Sequence, residues 1–254
     1  MPTPKRALPA VLAALACVLA LPALAPAKLT EVGVVEHTTP ETVPSCPGNP
    51  CLAVSRTTGF QLQVDAVTSP VKITHAGSIV AWTIALSKPT ASQTTFFNEH
   101  EGGAAAAQLG ILAPKTLTSK KSAASAGAAG ASRTKTKTTH KKPAAESEPT
   151  EYTLVATSPV VELEPYFGET AEFPLETTMK VQPGDVVALT VPTWAPALAL
   201  GFGKTTGWRA SRPKSGCAET SVQTAHLKVG VNRPYACVYH EARLTYSATL
   251  ISTP

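Results

Sequence analysis

Aspartate is nearly missing from this chain: Asp65 and Asp185 are the only two in 254 residues. Calcium loops draw heavily on aspartate, and a Ser-His-Asp set would have only these two positions to use. Methionine is as scarce, with Met179 the only one beyond Met1. The segment PYACVYH (Pro234 to His240) places Cys237 and His240 at a spacing known from copper loops. The chain then continues EARLTYSATLISTP, without the methionine or glutamine that usually completes such a site. No Gly-x-Ser-x-Gly elbow occurs, and GFGKTT lacks the first glycine of a phosphate loop. Beyond the N-terminus no apolar run approaches membrane length. The chain therefore reads as non-catalytic and free of cofactors.

The N-terminus is different. Lys5 and Arg6 precede an apolar run from Ala7 to Leu24, and the small-x-small sites Ala23-Leu24-Ala25 and Ala25-Pro26-Ala27 follow. That pattern marks residues 1–27 as a secretory signal peptide, cleaved after Ala27. An uncleaved anchor would have to accommodate Pro9, Pro22 and Pro26 within its helix. Lipidation at Cys17 lacks a good preceding motif, which here reads Ala14-Leu15-Ala16. A secreted or envelope-associated protein is expected.

Four cysteines remain after the leader: Cys46, Cys51, Cys217 and Cys237. In an oxidising compartment an even set reads as disulfides. The turn residues of SCPGNPC favour Cys46 with Cys51, leaving Cys217 with Cys237. A zinc set of Cys217, His226, Cys237 and His240 would need both thiols to stay reduced, so the disulfides are preferred.

The formal charge of +5 does not describe the folded part. Lys5 and Arg6 leave with the leader. Eight more cations, from Lys115 to Lys142, lie in a stretch of Ala, Ser, Thr, Lys and Gly spanning 115–150, whose acids are Glu146 and Glu148. Removing those ten of 22 bases and two of 17 acids leaves 12 and 15, a balance of −3. A nucleic-acid reader concentrates positive charge on a folded face, so nucleic acid is not an expected partner. The 115–150 segment is too poor in large apolar residues to offset the entropy of ordering, and a disordered basic loop is expected there. Its charge could attract envelope polysaccharide or another polyanion.

Elsewhere the chain alternates with period two. FQLQVDAV sets Phe60, Leu62, Val64 and Ala66 against Gln61, Gln63 and Asp65. SIVAWTIAL sets Val80, Trp82, Ile84 and Leu86 against Ile79, Ala81 and Ala85, as if both faces were covered. Further strands are expected at AAQLGIL, YTLVATS, VVELE, AEFPLE, MKVQ, DVVALTV, LALGF, ETSVQTAHLKV and ARLTYSATLI, with Pro and Gly between them and no amphipathic helix. The expectation is an all-β fold: a single β-sandwich, jelly-roll or immunoglobulin-like, over 59–254. Residues 28–58 would be an extended lead-in. The 115–150 loop would interrupt the domain between neighbouring strands, at a closure cost of only roughly 2 kcal/mol over a short turn.

Three aromatic residues stand out as binding candidates. VPTWAPALALGFGKTTGWRASR holds Trp194 and Trp208, and Tyr166 lies in the acid-rich VELEPYFGETAEFPLE. Exposed rings of this kind stack on sugars, while large aromatics more often fill a core. A ligand platform requires Trp208 exposed and co-planar with a second ring; a purely structural protein can bury it. NEHEGG (Asn98 to Gly103) brackets His100 with Glu99 and Glu101 and reads as a solvated turn.

YTLVATSPVVELEPYFG, VVALTVPTWAPALALG and ARLTYSATL resemble stretches of secreted actinobacterial β-sandwich proteins of unassigned function. The resemblance spans roughly 59–112 and 151–251. It implies export and an all-β fold, and it carries no site residue. Two functions follow as expectations: an exported non-catalytic protein binding carbohydrate or another cell-envelope polymer, or a structural or adhesive envelope protein without a small ligand.

Overall fold

A computed structural model describes residues 27–36, 38, 41–115, 150–218 and 223–252. The expected leader, apart from Ala27, and the basic insert, apart from Lys115 and Thr150, lie outside the described residues. In chain order the elements are β1 (Lys28–Val32), β2 (Val54–Val64), β3 (Val67–Thr68), β4 (Gly77–Ala85), α1 (Ala91–His100), β5 (Ala106–Pro114), β6 (Glu151–Thr157), β7 (Val161–Glu162), β8 (Thr170–Val181), β9 (Val186–Ala195), β10 (Leu198–Leu200), β11 (Gly207–Ala210), β12 (Asn232–Pro234), β13 (Cys237–His240), β14 (Ala242–Leu244) and β15 (Tyr246–Ser252).

These strands build an all-β sandwich. The small sheet has the order β1-β15-β4-β8; the large one runs β12-β6-β5-β9-β2-β11-β13, with β3 and β7 at its margins. Every pairing is antiparallel. Trp82, Ile84, Met179, Tyr246 and Leu250 of the small sheet share one core with Phe60, Leu109, Ile111, Leu154, Val187 and Leu189 of the large one. The Tyr246 hydroxyl crosses between the sheets and donates to the Val187 carbonyl at 2.8 Å. Truncating a buried aromatic such as Trp82 typically costs about 3–5 kcal/mol, so this layer dominates the stability.

The lead-in is more structured than its composition indicated. β1 pairs along its whole length with β15, and β2 starts at Val54, before the expected boundary at 59. β4 shows why its sequence looked apolar on both sides. Ile79 and Ala81 are buried, then the phase flips and Trp82, Ile84 and Leu86 are buried. The flip lies at Val80, which is skipped in the pairing with both β15 and β8. An extra residue of this kind re-aims the side chains that follow it. AEFPLE and MKVQ form the single strand β8, whose Pro174 is tolerated because β8 is an edge. Of ETSVQTAHLKV, the described residues 223–228 are not strand.

The alternation in FQLQVDAV fails at Gln61, which is 3% exposed. β2 is central, so both its faces are covered. The Gln61 amide is accommodated by donating to the Gln63 and Gly207 carbonyls and accepting from the Leu244 N–H.

The insert sits in the β5–β6 hairpin, between neighbouring strands as expected. The ladder is closed up to both of its ends. The Lys115 N–H donates to the Glu151 carbonyl at 2.9 Å, and Lys115 Nζ meets Glu151 Oε2 at 2.7 Å. That contact with Lys115 holds the Glu151 carboxyl below its usual range. Both expected disulfides are present, Cys46–Cys51 and Cys217–Cys237. Cys237 and Cys217 are therefore not thiolates, and His240 Nδ1 donates instead to the Lys204 carbonyl.

Candidate functional site

Trp194, Trp208 and Tyr166 do not form an exposed platform. Trp194 is fully buried and Trp208 is 6% exposed. Trp208 packs on Tyr239 at 4.9 Å, whereas the half-buried Tyr166 sets its edge against Phe173 at 5.1 Å. The rings were conspicuous in the sequence because they fill the core and its margins. The Trp208 condition for a ligand platform is not met.

Trp194 instead anchors an element that the sequence pattern did not reveal, helix α1. No residue of this ten-residue helix is fully buried, so no apolar stripe announces it. Its termini do. Thr90 and Gln93 form a capping box, with Thr90 Oγ1 accepting from the Gln93 N–H and Gln93 Oε1 accepting from the Thr90 N–H. At the other end Gly102 adopts φ +97°, and the Gly103 N–H returns to the Asn98 carbonyl, a glycine-closed terminus.

A helix this short is marginal alone. Its last turn fastens it to β9. Phe97 stacks on Trp194 at 4.7 Å, and Phe167 closes on the same indole at 5.6 Å. Asn98 bridges two elements: its Oδ1 accepts from Trp194 Nε1 at 2.7 Å and its Nδ2 donates to Glu164 at 3.0 Å. Glu101 pairs with Arg56 at 3.0 Å. Arg56 sits at φ +42° where the β2–β9 register shifts between Ser55 and Thr57, and its side chain reaches Glu101 at the end of the helix. NEHEGG is thus the docked end of a helix and not a solvated turn.

With α1 fixed, an open-sided groove of about 470 Å³ lies between it and the Cys46–Cys51 loop. Gln93 Nε2 donates to the Pro47 carbonyl at 3.2 Å and ties the two walls together. Phe96 is 54% exposed and Leu52 is 44% exposed, while Asn49 and Ser92 supply amide and hydroxyl groups. His100 stacks on the Phe96 ring at 4.4 Å, and its Nδ1 donates to the Phe96 carbonyl, which braces that ring. Among the described residues the lining carries no charged side chain, and Cys51 is committed to its disulfide. The groove offers ring stacking and neutral hydrogen bonds, not acid–base or nucleophilic chemistry.

Among the described residues no three His, Cys, Asp or Glu side chains converge as a metal site would require. His226 is fully buried. Its Nε2–H donates to the Val231 carbonyl at 3.0 Å, and its Nδ1 accepts from the Tyr235 hydroxyl at 3.0 Å. Burial, then the nearby Arg233 charge, lowers its pKa. Among the described residues no helix is long and apolar enough to cross a membrane.

Comparison with protein-family models, with curated proteins and with solved structures gave no match.

Proposed function

We propose that this is an exported, non-catalytic binding protein whose groove between α1 and the Cys46–Cys51 loop takes an uncharged carbohydrate or comparable cell-envelope polymer. The observation that carries the reading is Phe96. A large aromatic ring, more than half exposed, stands at the rim of an uncharged groove on a helix pinned by Asn98, Phe97 and Glu101. Ordering such a ring in advance favours binding, because less freedom is lost on association. The open side suits a chain threading through better than a small enclosed molecule. Export rests on the leader-like N-terminus, and two disulfides are compatible with an extracytoplasmic compartment.

A structural or adhesive envelope role without a small ligand is the second reading, favoured by the burial of Trp194 and Trp208. A glycan and peptidoglycan binding array separates the two. The binding reading expects selective retention on a subset of neutral glycans; uniform absence of binding supports the structural one.

A further inference from the structure

The groove accounts for one face of the molecule. A second feature, of nearly the same volume, lies at the β11–β12 end, where the buried polar groups do not balance. Among the described residues three buried side-chain donors lack a hydrogen-bond partner: Trp208 Nε1, Arg209 Nε and Arg212 Nε. All three fall within five consecutive residues, and all are donors. Trp208 and Arg209 lie outside the cleft lining, but Arg212 belongs to it, and since buried polar groups are nearly always satisfied its Nε–H points to an acceptor that is not among the described residues.

Arg212 lines a cleft of about 440 Å³ together with Arg233, Ser211, Gln223 and Thr224. Arg212 is 9% exposed, and Ser211 and Gln223 are equally buried. One guanidinium nitrogen of Arg212, Nη1, donates to the Tyr239 hydroxyl, which in turn donates to the Cys217 carbonyl at 2.9 Å. The guanidinium also lies 5.2 Å over the Tyr239 ring. Arg233 Nη1 donates to the Thr224 and Ala225 carbonyls, both at 3.1 Å. Among the described residues neither arginine is within salt-bridge distance of a carboxylate. Burial lowers the pKa of Arg212, with Tyr239 opposing that shift.

The frame around them is stiff. The Cys217–Cys237 bridge lies beside the cleft, Cys237 pairs with Ala210, and the Ala236 N–H bonds the Arg212 carbonyl at 2.9 Å. Arg233 is held in β12 opposite Tyr152. Two cations on a rigid scaffold, with no carboxylate partner among the described residues, have the make-up of an anion receptor.

We propose that the Arg212–Arg233 cleft is a binding site for an oxyanion, a carboxylate or phosphate group carried on a ligand up to about the size of an acidic monosaccharide. Guanidinium groups match both anions with paired N–H bonds, and Ser211, Gln223 and Thr224 give the same cleft a polar lining. This site is separate from the Phe96 groove, and either can fail without the other.

The test is a calorimetric titration of the full mature chain with inorganic phosphate and, separately, with glucuronate, at fixed ionic strength. The same titrations are run on Arg212→Gln and on Arg212→Lys, and amide shifts are followed by NMR. Arg212→Gln retains a donor toward Tyr239; Arg212→Lys keeps the charge but loses the fork, which guards against a trivial folding defect. The proposal expects saturable binding of at least one probe, with Ser211 and Thr224 amides shifting, and affinity reduced about tenfold or more in both variants while Phe96→Ala binds normally. Which probe saturates tells a phosphate ligand from a carboxylate one. Absence of saturable binding to the wild-type chain, or equal affinity in Arg212→Gln, overturns the site.

Discussion

Replacing Asn98 by alanine tests how helix α1 is held. The side chain makes two hydrogen bonds, accepting from Trp194 Nε1 at 2.7 Å and donating to Glu164 at 3.0 Å. Trp194 Nε1 also reaches the Gly103 carbonyl at 3.1 Å, so the indole is not left wholly unpartnered. At about 1 kcal/mol net per bond, the loss comes to about 2 kcal/mol. For a domain of this size that corresponds to a melting temperature lower by about 4–8 °C. Glu99→Ala is the matched control, because Glu99 is exposed on the same turn and has no such role; surface changes of that kind stay within about 0.5 kcal/mol. Thermal unfolding followed by near-ultraviolet circular dichroism reads both stability and the Trp194 environment. If Asn98→Ala melts with Glu99→Ala and leaves the tryptophan signal unchanged, the segment is a solvated turn and the account of the groove wall fails.

Exchanging residues 116–149 for a short Gly-Asn-Gly turn is expected to leave circular dichroism and melting temperature unchanged, since the β5–β6 ladder closes at Lys115 and Glu151. Retention on anionic liposomes at low salt should fall, and unchanged retention would refute a role for the basic charges. His226 makes stability depend on pH. Its folded pKa lies below the ordinary value of 6.5, so its contribution is complete above that value and is lost as pH falls through it. The slope is at most about 1.4 kcal/mol per pH unit, and His226→Gln should flatten it in denaturant titrations between pH 7 and 5. Gly59→Ala should be strongly destabilising in the same titrations, because a Cβ there would lie 2.7 Å from the Trp208 ring and 3.0 Å from the Arg209 carbonyl.

The parts of the fold visible in the sequence were those with a local chemical signature. SCPGNPC announced its own disulfide, and the compositional break after Pro114 placed the insert between paired strands. The apolar alternation of Gly77–Ala85 marked a strand, though not the bulge at Val80 that switches its faces. Gln61 misled because polarity alone cannot distinguish a solvent-facing residue from a buried one whose amide is fully bonded. Helix α1 was legible only at its ends, in the Thr90–Gln93 box and the Gly102–Gly103 stop, since its apolar residues Phe96 and Phe97 make no stripe. The candidate groove was not legible at all. One wall, α1, is seated by Trp194, about a hundred residues further along the chain, and Gln93 ties it to Pro47 of the other; no local pattern encodes that meeting.

The central claim is that Phe96 forms the contact surface of a neutral glycan site. The most direct measurement is side-by-side binding of the wild-type chain and Phe96→Ala on one glycan and peptidoglycan array. Because Phe96 is exposed, its removal should leave the melting temperature near that of the wild type. The account predicts selective binding by the wild type, reduced about tenfold in the variant, the scale of one lost aromatic stacking contact. Equal binding by the two proteins, or binding by neither, contradicts it.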